Sequence, residues 1–352
     1  MTTRDPKLTV GFLPWWPQNP YQLLLKRELN ALGVRVIGNP PLSLLRILLG
    51  RDGLDVVHVH WPHGLYKSFG QMLYVLAALV AYRVLKNNIV WTVHELTAYE
   101  SRHRRRDDWF RSVVMRLSRH LIVHGDYTKR ILISEYNYKG SVSVARHPSY
   151  KGWYKDEVTR EQARQELGLP ADGLAFLYFG YVKPYKGVED LILAFRQLPG
   201  FDRSLYIVGK PLDDEIKHLC EGLASADPRI RTRLSYVADD EVQTYFRATD
   251  VVVYPFRETQ TSGSLMLALK FGRPVVVPNI ATLSEYVDSS VGILYDPTLA
   301  NALEIALHTA AAAPLDILAD NANKRAVELD WASMAVVHLD AYLGVRPRCS
   351  TA

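Results

Sequence analysis

Short apolar runs rich in β-branched residues alternate along this chain with longer segments whose apolar positions recur every three or four residues. "LTVGFLP" leads into "NPYQLLLKRELNALG", "DVVHVHWP" into "SFGQMLYVLAALVAYRVLKN", and "NIVWTVHE" into a charged helical stretch. "HLIVHGD" and "YTKRILISEYN" close that series. The rhythm resumes with "LAFLYFG", "GVEDLILAFRQL", "SLYIVGK", "DDEIKHLCEGLASA", "IRTRLSYV", "DDEVQTYFRAT" and "VVVYPFRETQTSGSLMLALKFGRPVVVP". Continuous apolar runs read as strands buried on both faces, the 3.6-residue period reads as helix, and their alternation predicts βαβ units with mostly parallel sheets. The pattern breaks in the polar passage 148–172, so the chain is expected to form two α/β domains, 1–150 and 172–329, each a doubly wound parallel sheet.

Composition agrees with that division. A chain of 352 residues exceeds what one core usually holds, and 48% hydrophobic residues describe a folded protein. Cys220 and Cys349 lie far apart with no metal-ligand spacing, and the N-terminus lacks a charged-then-apolar leader pattern. The expectation is therefore a reducing cytoplasm. The most apolar run, Met72 to Tyr82, is about half of the roughly 20 residues that a membrane span needs. It reads as a buried helix or one that lays a face on a membrane. The net charge of +5 calls for an anionic partner. Arg102, Arg104, Arg105 and Arg106 concentrate that charge and make either a solvated helix face or a contact with an anionic inner leaflet. Nucleic acid is not expected, because no interleaved aromatics or helix-turn-helix pattern accompany the arginines.

The candidate chemistry sits in strand-to-helix loops. Thr261, Ser262, Gly263 and Ser264 follow a strand and open a helix, where unpaired amides and the helix dipole favour an anion. An ordinary N-cap would use the same residues. A second loop, in "FGYVKPYKGVEDLILAF", carries Gly180, Lys183, Lys186 and Gly187. Two such loops at carboxyl ends of strands in one domain suit a single diphosphate. Asp239 and Asp240 read as a helix cap, and no compelling metal motif is present, so no metal or other cofactor is expected.

These stretches, with "LYIVGK", "ADDEVQTYFRATDVVVYPF" and "SGSLMLALKFGRPVVVP", resemble the donor-binding half of the large group-1 family of GT-B glycosyltransferases over roughly residues 174–297. The first half is similar in outline, through "TVHE" and "VHGDYTKRIL". The resemblance implies two Rossmann-like domains facing a cleft, a UDP- or GDP-sugar donor held mainly by the second, and a last helix, 330–345, packed back on the first. It implies a diphosphate contact for Lys186 and a sugar contact for Glu258, with Gly180, Lys183, Gly209, Tyr236 and the 261–264 turn completing the donor site. His94 matches a histidine that faces the donor sugar. The family's second glutamate would fall near Met266 or Leu267 and is absent. The family's retaining course is the first expectation, and that absence weighs against it. An inverting course needs a carboxylate to deprotonate the acceptor hydroxyl, for which Glu95 and Asp126 are the candidates.

The loop aromatics Trp15, Trp16, Tyr21, Trp61 and Tyr66, with His60 and His63, suit either loop packing or a sugar acceptor. The reading that joins these features is a glycosyltransferase acting on a glycan or lipid-linked acceptor in surface polysaccharide assembly, peripheral on the inner face of the plasma membrane. A nucleotide-sugar epimerase and a non-catalytic nucleotide-sugar-binding protein are the alternatives.

Overall fold

The computed structural model describes residues 8–85, 88–97 and 103–344. The chain divides into two compact units, Met1–His147 with Asp330–Ala352, and Pro148–Leu329.

The first unit is a six-stranded parallel sheet, β1 (Leu8–Leu13), β2 (Val34–Gly38), β3 (Val56–Val59), β4 (Ile89–Thr92), β5 (His120–Val123) and β6 (Ser141–Val144), in the order β2-β1-β3-β4-β5-β6. Helices α1 (Pro20–Ala31), α2 (Leu44–Leu48), α3 (Phe69–Leu85), α4 (Arg104–Leu117) and α5 (Asp126–Ser134) form its connections. Every residue of β3, β4 and β5 is buried, as continuous apolar strands covered on both faces must be.

The second unit repeats the architecture with β7 (Leu174–Phe179), β8 (Arg203–Val208), β9 (Ile230–Arg233), β10 (Val251–Val253), β11 (Val275–Pro278) and β12 (Gly292–Tyr295), ordered β12-β11-β10-β7-β8-β9. Its helices are α6 (Arg160–Leu167), α7 (Val188–Gln197), α8 (Asp214–Ala224), α9 (Val242–Ala248), α10 (Gly263–Lys270), α11 (Ala302–Ala311) and α12 (Leu315–Glu328). The last helix, α13 (Trp331–Leu343), falls in the first unit and packs on α1, β5 and β6.

The alternation read from the sequence passes over β2, β6 and β12. All three are sheet edges, where burial is partial and the apolar signal is weak: β6 has one buried residue in four. The passage 148–172 is also more than a connection. It belongs to the second unit, where α6 opens with a Thr159–Gln162 capping box and packs on α9. The buried Arg164 ties it down, through Asp250 (2.6 Å) and the carbonyls of Pro170, Ala171, Gly173 and Ala248.

In each sheet the chain reverses direction once, between β1 and β3 in the first and between β7 and β10 in the second. Ligands of open α/β sheets bind outside the carboxyl ends of strands at such a reversal.

Candidate functional site

In the second unit the reversal point carries the two loops singled out from the sequence, Gly180–Gly187 after β7 and Tyr254–Ser262 after β10. They are tied together. The Arg257 amide donates to the Tyr185 carbonyl (2.9 Å), and its guanidinium donates to Pro184 (2.8 Å) and grips both Asp190 oxygens at 2.8 Å. The glycines are required by backbone proximity. Gly180 has φ +143, and a Cβ there would stand 2.9 Å from the Ser264 hydroxyl. Gly209, at the end of β8, has φ +144, and a Cβ on it would run into the Gly180 carbonyl. Gly180, Gly209 and the first turn of α10 therefore meet at one point.

Ser262 caps α10, its hydroxyl accepting from the Leu265 amide (3.2 Å), so the ordinary N-cap is realised and one hydroxyl proton remains available. The amides of Gly263 and Ser264 lie in the first turn, where no intrahelical acceptor exists. Thr261 offers its carbonyl to the Thr259 hydroxyl (2.9 Å). Lys186 lies across Phe256 and Tyr185, 4.0 and 5.0 Å from the ring centroids, and Lys183 sits 4.7 Å from that of Tyr181. Aromatic faces hold both ammonium groups at the loop. Glu258 and Tyr236 are exposed. Met266 and Leu267, where a second glutamate would fall, are 1% and 5% exposed. A carboxylate there would be buried in the core, so this helix offers no counterpart.

One expectation fails in this unit. Neither Asp239 nor Asp240 caps α9, whose N-cap is Glu241 without a side-chain cap bond. Glu241 instead pairs with Arg233 at 2.9 Å. A cavity of ≈ 530 Å³ lined by Asp190, Arg257, Tyr295 and Glu304 includes none of the residues predicted for the donor.

In the first unit the reversal point gathers aromatic rings. Trp16 stacks on Trp61 at 4.4 Å, and Trp61 stacks on His94 at 4.3 Å and 12°. The edge of Tyr21 meets His94 at 4.8 Å. Behind them lies a group of histidines that the sequence reading largely passed over: His58, His60, His124, His147 and His338. The period-two "VHVH" of β3 was the available signal.

Their hydrogen bonds fix their tautomers. His124 Nδ1 faces the Ala145 carbonyl (2.8 Å), which only accepts, so that nitrogen carries the proton. His124 Nε2 must then accept from His94 Nδ1 (3.4 Å), and His94 Nε2 accepts from His60 Nδ1 (3.2 Å). The row ends at His60 Nε2, a buried acceptor with no hydrogen-bond partner. A second row starts at the Met334 carbonyl. His338 Nδ1 donates to it, Thr92 donates to His338 Nε2 (3.4 Å), His58 donates to Thr92 (2.8 Å), and the Tyr342 hydroxyl donates to His58 (2.7 Å). Burial holds His94, His60 and His58 well below the ordinary imidazole range and brings His124 down to about 4 and His338 to about 3. Both nitrogens of His94 are consumed in its row, so it presents a ring face and not a free nitrogen.

The carboxylate candidates stand elsewhere on the same unit. Glu95 accepts from Arg111 at 3.3 Å, and Arg111 also reaches His63 at 3.1 Å. Asp126 opens α5 and pairs with Arg146 at 3.1 Å between two half-exposed side chains. The arginine run is not uniform. Arg102 lies outside the described residues, Arg104 and Arg105 are exposed, and Arg106 is held by Asp107 (3.1 Å) over the Tyr66 ring. Among the described residues, no group of three or more His, Cys, Asp or Glu side chains could hold a metal ion.

Two parallel-sheet units, one with a glycine- and lysine-lined reversal point ending in a helix N-terminus, have the GT-B architecture found in glycosyltransferases. Residues 173–312 match the family model described as glycosyl transferases group 1. The chain is 28% identical to the GDP-mannose:glycolipid 4-beta-D-mannosyltransferase of Xanthomonas campestris pv. campestris, over 96% of this chain and 93% of that one. It also superposes on sucrose-phosphate synthase from Thermosynechococcus elongatus (TM-score 0.72, 19% identity, 98% and 97% of the two chains). Anabaena HepE in complex with UDP and glucose is a further structural relative (TM-score 0.69, 17% identity, 96% and 100%).

Proposed function

We propose that this glycosyltransferase moves a mannosyl group from GDP-mannose to a hydroxyl of a lipid-linked acceptor, with inversion at the anomeric carbon. The observation that carries this reading is the near end-to-end similarity to a transferase whose donor is GDP-mannose, whose acceptor is a glycolipid and whose product linkage is β. A β product from an α-linked donor requires one displacement, and so a base for the acceptor proton. Asp126, the more exposed of the two carboxylates, takes that role, while Glu95 stays with the buried Arg111. Replacement of the family's second glutamate by core residues agrees with a departure from the retaining course. Lys186, Lys183 and the α10 amides offset the charge developing on the leaving diphosphate without a metal, and Glu258 positions the sugar.

The surface of the first unit supports a lipid acceptor. Helices α2 and α3 pack together, and Leu45, Leu48, Leu49, Phe69, Leu73 and Val84 all project outward from them. Leu45 is 66% and Val84 75% exposed. Such a patch, with Arg46, Arg51 and Lys67 exposed in the same segments, fits the headgroup–acyl boundary of an anionic bilayer. Among the described residues, no single helix is long and apolar enough to cross a membrane.

The test is transfer from GDP-mannose to lipid-linked saccharides, with the anomeric configuration of the product read by NMR. A β-mannoside that disappears with Asp126→Asn supports the proposal. An α-mannoside restores the retaining course. Turnover with UDP-sugars alone removes the donor assignment, and donor conversion without any acceptor favours an epimerase.

A further inference from the structure

Three glycines leave the backbone bare around the α10 terminus, and their surroundings differ. The places of the missing Cβ atoms on Gly180 and Gly209 face Ser264 and the Gly180 carbonyl, parts of the loops themselves. The place on Gly263 faces the Tyr150 hydroxyl oxygen at 3.0 Å, with Tyr150 Cε2 at 3.8 Å. Tyr150 belongs to neither loop. It comes from the polar passage that opens the second unit.

That passage is firmly placed. The Ser149 amide donates to the Leu329 carbonyl (2.9 Å), its hydroxyl donates to Ala326 (2.7 Å), and the Trp153 amide donates back to Tyr150 (3.1 Å). The Tyr150 ring packs edge-on against Tyr154 at 5.8 Å. The phenol oxygen is thus held 3.0 Å from the place of a Cβ on Gly263, the first residue of α10. A residue larger than glycine at 263 would push it away. The Ser264 and Tyr150 hydroxyls both stand at this first turn.

We propose that Tyr150 is a further donor-binding residue, its hydroxyl donating a hydrogen bond to the diphosphate seated at the start of α10; this rests on the donor site proposed above. Burial raises the Tyr150 phenol well above its ordinary range, so the proton to be donated stays on the oxygen throughout the working pH range. A neutral donor there adds direction to a site whose positive charge comes from Lys186 and Lys183, because a phenol bonds one oxygen along one line while an ammonium attracts all of them.

The experiment is calorimetric titration of the full chain and of Tyr150→Phe with GDP and with guanosine. The expected result is GDP affinity about tenfold weaker in the variant, the size of one hydrogen bond to a charged group, with guanosine affinity and Tm unchanged. Equal GDP affinity would overturn the proposal, and so would parallel losses for GDP and guanosine, which would make Tyr150 a packing residue. If the unaltered chain binds UDP or no nucleoside diphosphate, the donor assignment fails first, and that result is separate from the comparison of variants. Gly263→Ala supplies a second measurement. Its added methyl should weaken GDP binding in the native background and much less when combined with Tyr150→Phe, which removes the hydroxyl it would press against. Equal losses in both backgrounds would count against the hydroxyl.

Discussion

The two units share a parallel six-stranded sheet and a single reversal point, yet fill that point with opposite chemistry. In the second unit it holds glycines, lysines and the start of α10, so backbone amides and ammonium groups line it. In the first it holds stacked indoles over neutral imidazoles that are hydrogen-bonded to one another in a row. All histidines except His218 and His308 belong to the first unit. The difference teaches that the shared topology supplies a place, while the loop residues decide whether it suits an anion or the apolar face of a sugar.

The sharpest way to break the second unit's arrangement is Gly209→Ala. A side chain at φ +144 driven against the Gly180 carbonyl should cost on the order of 3 kcal/mol, with the loss of Tm confined to that unit in hydrogen exchange. Unchanged exchange there would mean that the two loops are not in contact. Next in size is Lys186→Ala, expected to weaken GDP binding by roughly ten- to a hundredfold while sparing guanosine. Equal losses would remove Lys186 from the phosphate.

Acid should distinguish the units in the other direction. His124 and His338 have folded-state values of about 4 and about 3, below the ordinary imidazole value near 6.5, so the unfolded chain binds more protons in between. Stability of the first unit is therefore fully present above pH 6.5 and falls as pH drops towards 4, at up to about 1.4 kcal/mol per pH unit for each such histidine. Hydrogen exchange at pH 7 and pH 5 should show loosening in β3, β4 and β5 but little in β7, β8 and β10. Equal change in both would contradict the buried, neutral row. The smallest effect is expected from Arg104→Gln with Arg105→Gln: a modest, salt-sensitive loss of binding to anionic vesicles, with the apolar α2–α3 face retaining most of it.

Much of this comparison was legible in the sequence where the signal is local. The valine-rich strands, the Gly180–Gly187 loop and the Ser262 turn could be placed because a buried strand, a lysine loop and a cap each declare themselves within a few residues. The histidine rows could not, because they join β3, β4, β5 and α13 across as many as 284 residues, the separation of His58 and Tyr342. Edge strands β2, β6 and β12 were missed because they are short and only partly buried. Asp239 and Asp240 misled because acidic residues before a helix suit a cap whether or not their side chains turn back to make one. Tyr150 lay in a polar passage, and nothing in its neighbours' identity announces what its hydroxyl touches.

The row that begins at the Ala145 carbonyl has a polarity that no side chain chose. One peptide oxygen orients His124, His124 orients His94, and His94 orients His60, so the lone pair stranded on His60 is set by main chain at the end of β6. Three imidazoles thereby behave as a single rigid dipole pinned at one end, and a proton can be added without turning the series around only at the stranded lone pair of His60.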